Sequence, residues 1–419
     1  MKTAKSFLIY AFTLFFNALI SFATFSLLTR HLSEVDYGVI NLYNSFTIFL
    51  VPFLSIGVPF TLSVDYFKMD ETSYRSHFTN GLAIPVLSSA IFTILFLLFV
   101  TPVSHLLKIN NLFTLLLPAS CLLIVLNEIT LNTIRNKGHH FLFATYSIVR
   151  NLAEIGLTVL FVLGLGMKWE GRLLSAFLAL GLGAIVIIIL VVRWHYYTAS
   201  FSKSDIKNIF KIGLPFIPER LAIFVLAYSD RFFIDYYRGT GEVGFYGAGA
   251  QLAMIVNLTT LTLNNTFYPV IYKKLTEKNP DYKGIKKITI VYIGLAAATS
   301  LGVILFTPFI FKHFVGAVFL PGKKYAILLT IGFFFWSVYN VFFAYLLNSK
   351  LNKTIMMISV IGMACSIILN LINVKIFGAI GATYTSIIVY FLMAALVIYF
   401  VHRHYNLAKI FAKRSVSQV

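Results

Sequence analysis

Apolar stretches of about 20 residues recur along the whole chain, and this constrains the fold more than any single motif does. A helix crossing the roughly 30 Å hydrocarbon layer needs about 20 largely apolar residues. Along the 419 residues this ruler fits twelve times, at 6–29, 38–62, 79–101, 112–134, 141–166, 173–194, 212–236, 245–270, 288–311, 326–348, 354–376 and 382–401. The first run, Ser6 to Leu28, is too long for a signal-peptide core and reads as a retained helix. Connections are short throughout, so no soluble domain is inserted. The expected fold is an all-α polytopic membrane protein of about 12 transmembrane helices.

Composition agrees. Hydrophobic residues make up 59% of the chain and charged residues 12%, against about 25% charged in a soluble globular protein. That balance excludes a disordered chain and a nucleic-acid-binding domain. The net charge of +19 reports topology instead, because membrane proteins collect Lys and Arg in cytoplasmic loops. The N-terminus, alternate loops and tail hold 22 Lys and Arg, including Lys2, Lys5, Lys68, Arg75, Arg135, Lys137, Lys203, Lys207, Lys211, Lys273, Lys274, Lys278, Lys409, Lys413 and Arg414; the opposite loops hold 9, among them Arg30, Arg172 and Arg238. Both termini are therefore expected in the cytoplasm. Cys121 and Cys365 lie in apolar runs and form no framework of bridges.

The chain also repeats itself. Glu34-Val35-Asp36-Tyr37-Gly38 resembles Glu242-Val243-Gly244-Phe245-Tyr246-Gly247, and Gly171 and Gly381 precede the sixth and twelfth spans. With six spans on either side of the basic loop from Arg193 to Lys211, two six-helix bundles follow, 1–200 and 201–419. Six is even, so the repeats run parallel about a pseudo-two-fold axis along the membrane normal. Secondary transporters use such repeats, with the site near mid-membrane.

An ionisable residue at the bilayer centre costs about 2.5 to 3.5 kcal/mol on insertion scales, so its presence needs a reason. Arg150 and Glu154, four residues apart in the fifth span, share a face and can pair. In the seventh, Glu219-Arg220 and Asp230-Arg231 are eleven residues apart. On one continuous helix that aligns them along a stripe roughly 16 Å long. Pro215 and Pro218 loosen the start of that span. Glu128 in the fourth span has no partner within one turn, whereas Arg30, Asp36 and Asp65 mark span ends. The deep asparagines, Asn17, Asn127 and Asn264 among them, read as interhelical glue.

Enzymatic chemistry has no foothold. Gly316 to Lys324 departs from a phosphate-binding loop in spacing and lacks the terminal Ser or Thr. His139-His140 and His402/His404 have no acidic or thiol company, so no metal site and no cofactor is expected.

With these residues in place, the chain resembles the Wzx-type polysaccharide flippases of the multidrug/oligosaccharidyl-lipid/polysaccharide exporter superfamily. The resemblance is carried by the run from Leu28 to Gly38, by Gly213-Leu214-Pro215, by Asp230-Arg231, by Val243 to Gly247 and by Pro269. It implies a MATE-like fold, no catalysis, and a bacterial inner-membrane protein that flips an undecaprenyl-pyrophosphate-linked oligosaccharide of the O-antigen or capsule type. The lipid-linked oligosaccharide and membrane lipids are the implied partners, with other polysaccharide-assembly membrane proteins and no nucleic acid. Guanidinium groups suit pyrophosphate and acidic sugars, so Arg30, Arg150, Arg220 and Arg231 are the candidates for the head group. Glu128, Glu154, Glu219 and Asp230 are the candidates for ion coupling, since no nucleotide site supplies energy. The rival readings are an ion-coupled multidrug exporter of the same superfamily and, from another class, a membrane glycan polymerase or ligase.

Overall fold

The computed structural model describes residues 2–198, 201–277 and 281–405, with side chains from residue 9 onward. Of the basic residues tallied above, Lys278, Lys409, Lys413 and Arg414 lie outside the described residues, as do the side chains of Lys2 and Lys5. The described residues form helices and no strand. The chain divides after Phe224 into two compact units.

The first unit begins with α1 (Lys2–His31), α2 (Glu34–Ser55), α3 (Val58–Asp65), α4 (Glu71–Leu98) and α5 (Val100–Leu107). It continues with α6 (Asn111–Asn136), α7 (His140–Thr158), α8 (Trp169–Arg193), α9 (Lys203–Gly213) and most of α10 (Phe216–Ala227). The second unit holds α11 (Asp230–Arg238), α12 (Thr240–Thr276), α13 (Tyr282–His313), α14 (Gly322–Asn348), α15 (Asn352–Phe377) and α16 (Ala379–Tyr405). Ten helices among the described residues are long and apolar enough to cross a membrane, making this a multi-pass membrane protein. The other two expected spans differ for physical reasons. Residues 245–270 lie within the 37-residue α12, where Gln251, Asn257, Asn264 and Asn265 dilute the apolar run. Residues 212–236 form no single helix: α10 stops at Ala227 and α11 starts at Asp230. The aligned charged stripe expected there required an unbroken helix and is not formed.

Side-chain caps set several helix starts. Ser33 accepts from the Asp36 amide at 3.1 Å while Asp36 accepts from the Ser33 amide at 3.3 Å, a reciprocal box that opens α2. Asp70, Asn110, Ser202 and Asp281 each accept from an amide at the start of the helix that follows them. Asp36 is thus a capping residue at a span end, as its position in the sequence indicated.

One core of the first unit gathers Val58 and Leu62 of α3, Tyr74 and Phe78 of α4, Val125 of α6, Tyr196 of the connection after α8 and Ile209 of α9. Through Tyr196 and Ile209 the segment after α8 is built into this unit. The second unit packs Tyr292, Tyr345 and Met393 with aliphatic neighbours from α13, α14 and α16. Asparagines tie helices together: Asn17 donates to Ser147 at 2.7 Å, Asn127 accepts from the Tyr146 hydroxyl at 2.6 Å and Asn264 from that of Tyr292 at 2.6 Å. Ile185, Ile188, Ile189 and Val192 of α8 stay exposed, the arrangement of a helix whose outer face meets lipid.

Candidate functional site

The second expected span breaks at Ile56 and Gly57, both in left-handed backbone, which ends α2 and starts α3. Gly213, at the end of α9, crosses this break so closely that a Cβ there would lie 1.8 Å from the Ile56 carbonyl oxygen. Only glycine fits that approach. A cavity of about 220 Å³ opens beside the crossing, within the first unit. Thr47 and Ser55 of α2, Pro59 of α3, Glu128 of α6 and Arg220 of α10 line it, with apolar side chains between them. The Phe60 and Phe216 rings, 4.1 Å apart, form part of its wall. Glu128 is half-buried and Arg220 exposed, and neither has an ion-pair partner among the described residues. The cavity thus presents one guanidinium and one separate carboxylate among apolar side chains.

The remaining charges expected at depth form two clusters. In the first unit, the Arg150 Nη1 lies 3.6 Å from Glu154 Oε2, as their spacing indicated. A tighter partner is Arg172, in the first turn of α8, whose Nη2 is 2.6 Å from Glu154 Oε1. Arg150 also donates to Asn151, while Arg150 Nε and Arg172 Nη1 are buried without a hydrogen-bond partner. Two guanidinium groups therefore flank one carboxylate. Sequence reasoning counted Arg172 as a loop charge. The signal that locates it is hairpin symmetry: α7 and α8 run antiparallel about a turn near Gly164, so a residue ten before that turn meets one eight after it.

In the second unit the break ahead of α11 frees backbone acceptors, and Arg231 uses one, donating from Nη1 to the Ala227 carbonyl at 2.8 Å. The same nitrogen pairs with Asp230 Oδ1 at 2.8 Å. Tyr246 donates to the other Asp230 oxygen. The guanidinium lies over the rings of Tyr228 and Tyr246, 5.1 and 5.7 Å from their centroids. Asp230 and Arg231 are both buried, so Arg231 does not extend to an interface. Glu219 is exposed on α10, and Arg30 is exposed one residue before the end of α1.

The sequence model for polysaccharide biosynthesis proteins matches residues 3–275, well over half of the chain. The chain belongs to the polysaccharide biosynthesis protein family. Among curated relatives of this family member is a protein of the Lsg locus of Haemophilus influenzae, 25% identical over 205 residues. That match takes in 47% of this chain and 50% of the relative, so the chain spans about half the relative's length. The fold of this polysaccharide biosynthesis protein is shared with the lipid II flippase MurJ in an inward closed conformation, at a TM-score of 0.76 and 16% identity over 94% of this chain and 87% of that one. It is shared too with an inward-facing multidrug resistance MATE family transporter of the MOP superfamily, at a TM-score of 0.71 and 13% identity over 94% and 96% of the two chains. At such identities the likeness shows the fold alone, and that fold is the MATE-like one expected from the sequence.

Proposed function

We propose that this polysaccharide biosynthesis protein is a flippase that moves an undecaprenyl-pyrophosphate-linked oligosaccharide, of the O-antigen or capsule type, across the bacterial inner membrane by alternating access. The observation that carries the reading is the cavity of the first unit, where Arg220 stands with no ion-pair partner among the described residues. A cation in an apolar surround is stabilised by an anionic ligand, and guanidinium suits a pyrophosphate oxyanion. Glu128 faces the same cavity and is the proposed ion-coupling carboxylate. Arg150 with Glu154, and Arg231 with Asp230, are proposed as a second tier: each keeps a charge deep in its unit while neutralised by a neighbour. Arg30 and Glu219, exposed near helix ends, are proposed as contacts at entry or exit. The Lys and Arg bias supports cytoplasmic termini.

One observation favours a second reading, an ion-coupled multidrug exporter: the Phe60 and Phe216 rings beside Glu128 would also suit an apolar cation. Deleting the gene separates the two. The flippase reading expects loss of a surface glycan with lipid-linked repeat units retained in the cytoplasmic leaflet. Normal glycan with lost drug resistance would support the exporter instead.

A further inference from the structure

At one end of the first unit a histidine with no solvent exposure stands between two carboxylates brought from distant parts of the chain. His77, in the second turn of α4, is fully buried. Its Nε2 is 3.1 Å from Oδ2 of Asp65, the last residue of α3. Its Nδ1 is 3.6 Å from Oδ1 of Asp205, in the first turn of α9. Neither ring nitrogen makes a directed hydrogen bond to any group. A neutral imidazole in this position gains little and leaves two buried nitrogens unsatisfied. An imidazolium gains charge attraction from both sides, which needs proximity more than direction.

Among the described residues, neither carboxylate forms an ion pair with any other group. On α4 itself Arg75 is paired with Glu71 at 2.9 Å. At the end of α6, Lys137 lies over the rings of Trp194 and Tyr196, 4.9 and 4.6 Å from their centroids, and Glu128 faces the cavity. Tyr74 donates its hydroxyl to the Leu62 carbonyl at 3.2 Å. Asp205 has neutral support as well, accepting from Ser76 Oγ at 3.0 Å and Asn80 Nδ2 at 3.3 Å. Asp65 Oδ2 is buried and has only the imidazole.

We propose that Asp65, His77 and Asp205 form a proton-binding latch that holds α9 against α3 and α4. With the proton bound, the imidazolium bridges both carboxylates and α9 is docked. When the proton leaves, two carboxylates are left beside a neutral ring, and α9, together with the Gly57–Gly213 crossing at its far end, loosens. The ligand is a proton, and the element it controls is the segment that leads from α8 into α10 and the cavity lining. On the topology proposed above, this end faces the cytoplasm. The latch rests on its own geometry and stands whether or not the substrate assignment does.

The test is hydrogen exchange on the full chain in lipid nanodiscs, read by mass spectrometry on peptides covering 202–213 and 59–66 and corrected for the intrinsic pH dependence of exchange. From about pH 5 to about pH 8, protection of both segments is expected to fall about tenfold, the equivalent of about 1.4 kcal/mol. In His77→Gln the corrected protection is expected to be low and independent of pH. Should that variant fail to fold, Asp205→Asn is expected to remove the pH response of 202–213 alone, because the bonds from Ser76 and Asn80 survive in it while the Asp65–His77 contact is left in place. Flat protection in the wild type would overturn the proposal, and so would a pH response of either segment that persists in His77→Gln, or one of 202–213 that persists in Asp205→Asn.

Discussion

Glu154 offers the sharpest test of the charged cluster in the first unit. Glu154→Gln keeps the side-chain volume and removes the charge that both Arg172, at 2.6 Å, and Arg150, at 3.6 Å, contact. What remains is two guanidinium groups around a neutral amide, with side chains only 17 and 20% exposed. Removing one partner from a buried ion pair costs about 3 to 5 kcal/mol. Arg172→Gln loses one short charge-assisted bond and leaves the looser pair intact, at about 1.5 to 3 kcal/mol. Arg150→Gln breaks the 3.6 Å contact and the bond to Asn151, at about 1 kcal/mol. The order of destabilisation is therefore Glu154→Gln, then Arg172→Gln, then Arg150→Gln. With about 2 to 4 °C per kcal/mol for a unit of this size, thermal unfolding in one fixed detergent should place Glu154→Gln about 10 °C below the wild type and Arg150→Gln within about 4 °C of it. A larger drop for Arg150→Gln than for Glu154→Gln would refute the pairing. A double-mutant cycle on Arg172 and Glu154 should return a coupling of about 1 to 3 kcal/mol.

Other perturbations follow from single contacts. Gly213→Ala drives a Cβ into the Ile56 carbonyl oxygen, and the resulting overpacking of about 3 kcal/mol or more should appear as poor recovery of monodisperse protein on size exclusion; normal recovery would contradict the close crossing. Tyr246→Phe takes a donor from buried Asp230 and should lower stability by about 1 to 3 kcal/mol, checked by unfolding in the same detergent, where no change would count against the cluster. Glu128→Gln should abolish transport while leaving the unfolding midpoint near that of the wild type, since the carboxylate makes no ion pair among the described residues; a large fall in stability would mark it as structural. At the turn before α13, the Lys274 ammonium and the Gly284 amide hold the Asp281 carboxyl below the usual carboxylate range. That contribution is present above the carboxyl's unfolded value and is lost as the pH falls through the lowered one, so exchange protection of residues 282–287 should be flat near neutral pH and drop only in acid; a drop near neutrality would be inconsistent with the clamp.

Much of the fold was legible because hydrophobic length is a robust signal. Apolar runs of about 20 residues located ten helices directly. The seventh span was not, because its apolar content hides a break at Tyr228 and Ser229: there Arg231 donates to the Ala227 carbonyl, and Tyr246 donates to the carboxylate of Asp230 beside it. Local pairing was equally readable, as Arg150 and Glu154 show, since four residues on a helix fix a geometry. Arg172 and His77 were not, because their partners arrive through helix packing. Arg172 could have been found by reflecting the helical hairpin about its turn. Nothing in the sequence around His77 announces carboxylates 12 residues before it and 128 after it.

Reconstitution tests the central claim most directly. Purified protein in liposomes carrying a fluorescent polyprenyl-pyrophosphate oligosaccharide should make the inner-leaflet label accessible to an external glycosidase, where empty liposomes keep it protected. Arg220→Gln should reduce that accessibility by about tenfold or more, the loss of one charge-assisted contact to the oxyanion. Accessibility no greater than in empty liposomes, with protein that is folded and inserted, would contradict the assignment of this chain as the flippase of such a lipid.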